Sequence, residues 1–259
     1  MLRPESLART YKPRSYPDPA EQLTDYQRVR EYVSKHPDHG RNRVGSALDL
    51  PPGRVRGWMK DVKPDAVRGV ETARDHGWID ASPESRLGDA LAVLTAATYA
   101  CGSVGKDWQL PAWNPETGVV ESLVVHALDL LGVGHTTRHA DDRERPTEIV
   151  AARDASILGR SLRALGVPQE FGYVDSLPEW LYDCTTDTRR TLALVWACER
   201  AVSHDGKDTL VIQAQSRGEF YRRTVAGLVR EIVDGAVNAT EQNVVISAEA
   251  ARTLQALCR

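Results

Sequence analysis

Apolar residues recur at helical spacing through the first third of the chain. Between Asp25 and Lys35, Tyr26, Val29, Tyr32 and Val33 share one face, which predicts a helix that His36-Pro37-Asp38-His39-Gly40 ends. Arg41 to Leu48 reads as a short second helix with Val44, Ala47 and Leu48 inward, and Asp49-Leu50-Pro51-Pro52-Gly53 as a turn. Arg54 to Lys60 follows as a third helix around Val55, Trp58 and Met59, and Asp65 to His76 as a fourth that Gly77 stops. Residues 1–20, with Pro4, Pro13, Pro17 and Pro19, show no period and are expected to form a flexible lead to a helical unit over residues 21–82. Ala81 to Ser85 reads as a linker, with Ser82 as the N-cap of the next helix and Pro83 at its first position.

The remainder repeats itself. Leu87 to Val104 and Thr191 to Val202 are both helical and rich in small residues, and each is followed within a few residues by Gly-Lys-Asp, at 105–107 and 206–208. Each Gly-Lys-Asp is expected to open a strand-like run, with a further helix at Glu121 to Leu131 and at Glu219 to Val233. Ala92, Ala96 and Ala100, like Ala193, Ala197 and Ala201, recur every fourth residue, which makes a narrow ridge along a helix and lets two helices approach closely. Two copies of helix, strands and helix predict a pseudo-symmetric body over residues 86–259, with halves at about 86–170 and 177–259. Ser247 to Cys258 should close it as a terminal helix.

Composition narrows the function. The 41% apolar and 27% charged residues fit a folded domain rather than a disordered chain. No apolar run approaches the roughly 20 residues of a membrane span, and the N-terminus opens no secretory stretch, so a cytoplasmic protein is expected. Cys101, Cys184, Cys198 and Cys258 form no CxxC pair, so neither a disulfide framework nor a zinc site is expected. The net charge of −3 divides unevenly: residues 1–82 hold 15 Lys+Arg and 12 Asp+Glu, and the rest is net −6. A basic head on an acidic body points the head toward a polyanion.

Short helices with a tight turn before the third make a helix-turn-helix pattern. Arg41 and Arg43 on the second helix, and Arg54, Arg56 and Lys60 on the third, are the cations such a unit would bring to phosphates and guanine edges.

The body resembles a known family. Leu94-Thr95-Ala96-Ala97-Thr98-Tyr99-Ala100-Cys101-Gly102-Ser103 looks like the signature helix of the LAGLIDADG homing endonucleases. The run from Leu158-Gly159-Arg160 to Gly166-Val167-Pro168 resembles the helix closing a half in that family, and Leu177-Pro178-Glu179-Trp180-Leu181 its entry to the second half. The resemblance implies an α+β fold: an all-α helix-turn-helix domain followed by a duplicated αββαββα domain whose two signature helices pack at the centre and whose sheets form a saddle over duplex DNA. It also implies an acidic residue at the end of each signature helix, holding divalent metal for cleavage. Here Cys101 stands at the first acidic position, and a soft neutral thiol is a poor Mg²⁺ ligand. Glu199 aligns to the second in one register; a register set by the Gly-Lys-Asp runs instead pairs Thr98 with Glu199 and Cys101 with Val202. Glu199 is therefore the single catalytic candidate. No cofactor is expected, with Mg²⁺ required only if cleavage survives. Asp107, Asp205 and Asp208 lie beyond the helix ends.

The second half also offers base-reading chemistry. Thr209, Val211, Gln213, Gln215 and Arg217 alternate onto one strand face, where glutamine suits adenine and arginine guanine. In the first half Arg138, Arg143 and Arg145 fall in a polar hairpin-like stretch before Glu148. His126, His135 and His139 form no metal-binding pattern, and no phosphate-cradling glycine loop is present. The expectation is a double-stranded-DNA-binding regulator that has lost metal-dependent cleavage, working as a monomer with an internal pseudo-dimer or as a homodimer. An active or nicking endonuclease using Glu199 and a protein–protein adaptor are the alternatives.

Overall fold

A computed structural model describes every residue except 14, 15, 143, 171, 204, 205 and 259. The chain divides into two units, Leu2–Ile79 and Asp80–Arg259.

The first unit is all helix: α1 (Pro4–Ala8), α2 (Pro19–Lys35), α3 (Arg41–Leu48), α4 (Pro52–Trp58) and α5 (Asp65–Asp75). Proline opens α1, α2 and α4, where its missing N–H costs nothing, and the Asp18 carboxylate caps α2 by accepting from the Ala20 amide at 3.0 Å. Val29, Val44, Val55, Val70 and Trp78 form a fully or almost fully buried core, with Tyr26 edge-on to Trp58 at 5.8 Å. Between α3 and α4 the chain reverses over Asp49, which takes a left-handed conformation, and Leu50, whose amide bonds back to the Gly45 carbonyl. A Cβ at Gly45 would lie 2.6 Å from the Leu50 carbonyl oxygen, so only glycine lets the turn close.

Two expectations for this unit are corrected. The first residues are not an unstructured lead: α1 packs on α2 and α5 and brings Leu2, Leu7 and Ala8 to complete burial. Two leucines and an alanine are too few to show a period, yet enough to anchor one helical turn. Ala47 is exposed, not inward.

The second unit mixes helix with two small antiparallel sheets, an α+β arrangement. The order is α6 (Arg86–Cys101), β1 (Gly102–Val104), β2 (Pro111–Trp113), α7 (Gly118–Leu130), β3 (His135–Arg138), β4 (Glu148–Ala151) and α8 (Ala155–Ala164). After a short 3₁₀ turn at Glu179–Asp183 the same order returns as α9 (Thr186–Arg200), β5 (Ala201–Ser203), β6 (Leu210–Gln213), α10 (Glu219–Arg230), β7 (Val237–Ala239), β8 (Asn243–Ile246) and α11 (Ala248–Leu257). The strands run β1-β2-β4-β3 in one sheet and β5-β6-β8-β7 in the other.

The ladders match rung for rung. Gly102 faces Trp113 in the first sheet and Ala201 faces Ile212 in the second; Ala112 faces Val150 as Val211 faces Val245; Thr136 faces Val150 as Asn238 faces Val245. This register differs from both that the sequence offers. Because Gly102 corresponds to Ala201, Cys101 corresponds to Arg200, and Glu199 to Ala100. The Gly-Lys-Asp runs mislead because they sit in the turns between β1 and β2 and between β5 and β6, where loop length drifts freely, rather than opening strands.

α6 and α9 pack against each other, and Ala92, Ala96, Ala100, Ala193 and Ala197 are buried; Ala201 lies past the helix, at the start of β5. Beneath the sheets Trp113, Ile149, Ile212 and Val244 form the inner layer, and Trp113 donates from Nε1 to the Thr98 hydroxyl at 3.0 Å. At Gly159 of α8 a Cβ would lie 1.9 Å from the Gln109 carbonyl oxygen, so the glycine lets α8 close on the β1–β2 turn.

Ser85, not Ser82, caps α6, its hydroxyl accepting from the Gly88 amide at 3.1 Å, while Ser82 and Pro83 form the preceding turn. Ser85→Ala is expected to cost about 1 kcal/mol of stability, and Ser82→Ala less, in paired urea titrations. The expectation about cysteines is also corrected: Cys198 of α9 is joined to Cys258 just beyond α11, while Cys101 and Cys184 are free. The bridged pair lies 60 residues apart in sequence, a separation with no spacing signal. No helix among the described residues is long and apolar enough to cross a membrane.

Candidate nucleic-acid interface

The cations of the first unit differ in how free they are. Arg41 and Arg43 on α3, Arg56 on α4 and Lys60 just beyond it are exposed, and none makes a hydrogen bond or ion pair among the described residues. Arg54 is committed locally: its guanidinium lies over the Tyr16 ring, 4.4 Å from the centroid, and Nη1 donates to the Tyr16 hydroxyl at 3.0 Å. Tyr16 in turn donates to Asp25 at 2.9 Å, and burial with this neighbouring carboxylate pushes its pKa up to about 12. Tyr16 falls in the supposed lead, so nothing in the local pattern marked it as an arginine partner.

In the second unit, the outward side of the β5-β6-β8-β7 sheet forms a depression of about 410 Å³ lined by Val202, Lys207, Thr209, Val211, Gln213 and Asn243, among others. A second depression of about 310 Å³ shares Gln213 and Gln215 and adds Arg200, Arg217, Tyr99 and Tyr221. Among the described residues, neither is lined by a carboxylate. The expected alternation holds through Ala214, with Gln213 and Gln215 exposed and Leu210, Ile212 and Ala214 buried. It stops before Arg217, which lies beyond the strand and donates to the Gly172 carbonyl at 2.8 Å, holding the segment that joins the two halves. Sequence reasoning missed Arg200, Lys207 and Asn243 as partners of the glutamines; Asn243 becomes visible only through its cross-strand pairing with Gln213.

In the first half Arg138 is exposed at the end of β3, opposite Glu148 on β4. Arg145 is exposed and lies 3.9 Å from Asp142; Arg143 is outside the described residues.

At the ends of α6 and α9 the structure brings Cys101, Glu199 and Arg200 together, though not as a pair of acids. Glu199 is buried, and its carboxylate is occupied: Oε2 accepts from the Glu116 amide at 2.9 Å, and Oε1 from the Thr117 amide at 3.2 Å and the Thr117 hydroxyl at 2.8 Å. Thr117 is the N-cap of α7, so a carboxylate of the second half closes the positive end of a first-half helix. Burial pushes the Cys101 thiol up to about 12, with the negative charge of Glu199 adding to it. Asp107 and Asp208 are exposed in their turns, and Asp205 is outside the described residues. His135 lies 3.5 Å from Asp129 and His139 3.9 Å from Glu148, and no group of three or more metal-binding side chains occurs among the described residues.

No family model matches the chain, and no curated protein matches it significantly.

Proposed function

We propose that the chain is a sequence-specific duplex-DNA-binding protein, acting as a transcriptional regulator, which joins a helix-turn-helix unit to a body of the LAGLIDADG homing-endonuclease form that no longer cuts. The observation that carries this reading is the lining of the second sheet. In a body of net charge −6, Arg200 and Lys207 gather with Gln213, Gln215 and Asn243 on and beside its outward side, and the described residues that line these depressions include no carboxylate. Cations neutralise phosphates and side-chain amides pair with base edges, so this composition suits a nucleic acid better than an acidic protein surface elsewhere on the body would. The repeated element and strand order supports the family form. The unpaired Arg41, Arg43, Arg56 and Lys60 beside a tight turn support the helix-turn-helix.

The helix ends do not fit a hard divalent cation. By register the two acidic positions hold Cys101 and Arg200, the thiol is neutral, and both oxygens of Glu199 are already taken by amide and hydroxyl donors.

The test is retardation of genomic duplex fragments by the full chain across a salt series. Substituting Arg41, Arg43 and Arg56 by alanine is expected to flatten the dependence of log affinity on log salt by about one for each phosphate that is no longer neutralised. Absence of binding at low salt would leave the adaptor reading standing. Mg²⁺-dependent plasmid nicking that vanishes in Glu199→Gln would establish an endonuclease instead.

A further inference from the structure

We infer that the body engages duplex DNA through its second sheet alone, so that its share of the target is one non-palindromic patch rather than two mirrored ones. This rests on the DNA-binding reading above and adds what the matched ladders reveal about its two sides. With identical backbone register, outward positions of the two sheets can be compared directly. Asn243 of β8 stands where β4 has Glu148, and Arg200, just ahead of β5, stands where Cys101 precedes β1. An amide that donates and accepts has become a carboxylate that repels phosphate, and a cation has become a neutral thiol.

The turn lysines diverge in the same sense. Lys106, between β1 and β2, lies 3.3 Å from Glu170, whereas Lys207, between β5 and β6, has no ion pair or hydrogen bond among the described residues. The β3–β4 connection adds Asp141, Asp142 and Glu144, with Arg145 already beside Asp142; the β7–β8 connection has one acid, Glu241. Lys106 and Arg145 of the first side thus lie beside carboxylates, and Arg138 stands across the ladder from Glu148, while Arg200 and Lys207 make no ion pair among the described residues. Only unmatched cations release counterions from DNA at no cost of broken ion pairs. A sheet of four strands about 4.8 Å apart covers roughly four or five base pairs, which sets the size of the patch.

The experiment compares Lys207→Glu, Asn243→Glu and Arg138→Glu in the full chain, on a random-sequence duplex pool for affinity and on a duplex selected from it for hydroxyl-radical footprinting. All three side chains are outside the core, and circular dichroism checks that each variant keeps the wild-type fold. Lys207→Glu and Asn243→Glu are expected to weaken binding by about tenfold or more, while Arg138→Glu changes it less than about twofold, and the body's footprint is a single patch. If Arg138→Glu weakens binding as much as Lys207→Glu, or two symmetric patches appear, both sheets engage and this inference falls while DNA binding stands. If none of the three matters but the α3 and α4 arginines do, the body does not touch DNA and the inference again falls. If the wild-type chain binds no duplex at low salt, the functional reading itself has failed.

Discussion

Glu199→Ala is expected to lower the unfolding free energy by about 3 kcal/mol, measured by urea titration of the far-ultraviolet signal. The carboxylate accepts three hydrogen bonds at 2.8–3.2 Å from Glu116 and Thr117. Bonds to a charged partner contribute roughly 1.5–3 kcal/mol each, and three on one group share part of that energy. Truncation also removes negative charge from the N-terminus of α7 and leaves two backbone amides without their acceptor. Glu199→Gln keeps the shape but turns an NH₂ toward donors, so it should cost about 2 kcal/mol. A carboxylate kept for cation binding behaves in the opposite way, since neutralising it in the metal-free protein leaves stability unchanged or higher. Equal midpoints for wild type and Glu199→Gln would therefore remove the capping role.

Trp113→Ala is expected to cost about 3–5 kcal/mol, the usual range for emptying a fully buried indole site. Trp113 is completely buried on β2, opposite Gly102 across the ladder, and its Nε1 bond to Thr98 ties the first sheet to α6. Trp113→Phe retains most of the volume and loses the N–H, so about 1–2 kcal/mol is expected from the missing bond and the residual gap. The pair of variants separates packing from hydrogen bonding; a Phe variant as unstable as the Ala variant would place most of the effect in the Thr98 bond.

What the sequence made legible follows the range of the forces involved. α3 has the expected bounds, Arg41–Leu48, because its limits are set locally by Gly40 before it and the Asp49-Leu50-Pro51 turn after it. The central helices, and the rows of alanine in them, were legible for the same reason: a spacing of four is local. The register between the halves was not, because it is fixed by cross-strand pairs such as Gly102 with Trp113, which no single segment records. The commitment of Glu199 to Glu116 and Thr117 spans more than 80 residues, and a glutamate at the end of a helix reads as a free carboxylate until that pairing is known. The Cys198–Cys258 bridge and the Arg54–Tyr16 pair were hidden for the same reason. Gln213 and Gln215 were found by alternation alone, but the absence of acids among the described residues that line their depression is a property of the folded surface.

The close seating of α6 on α9 has a thermodynamic consequence for the repeat. α6 is buried along nearly its whole length, so it has no side that tolerates water. If either copy opened by itself, the other would be left with a bare alanine stripe, and α7 would lose its cap. A half-open species therefore carries both penalties without the chain entropy of a fully unfolded molecule. The two copies, although each repeats the same plan, are bound into one all-or-none melting event, and the duplicated body behaves as a single cooperative structure.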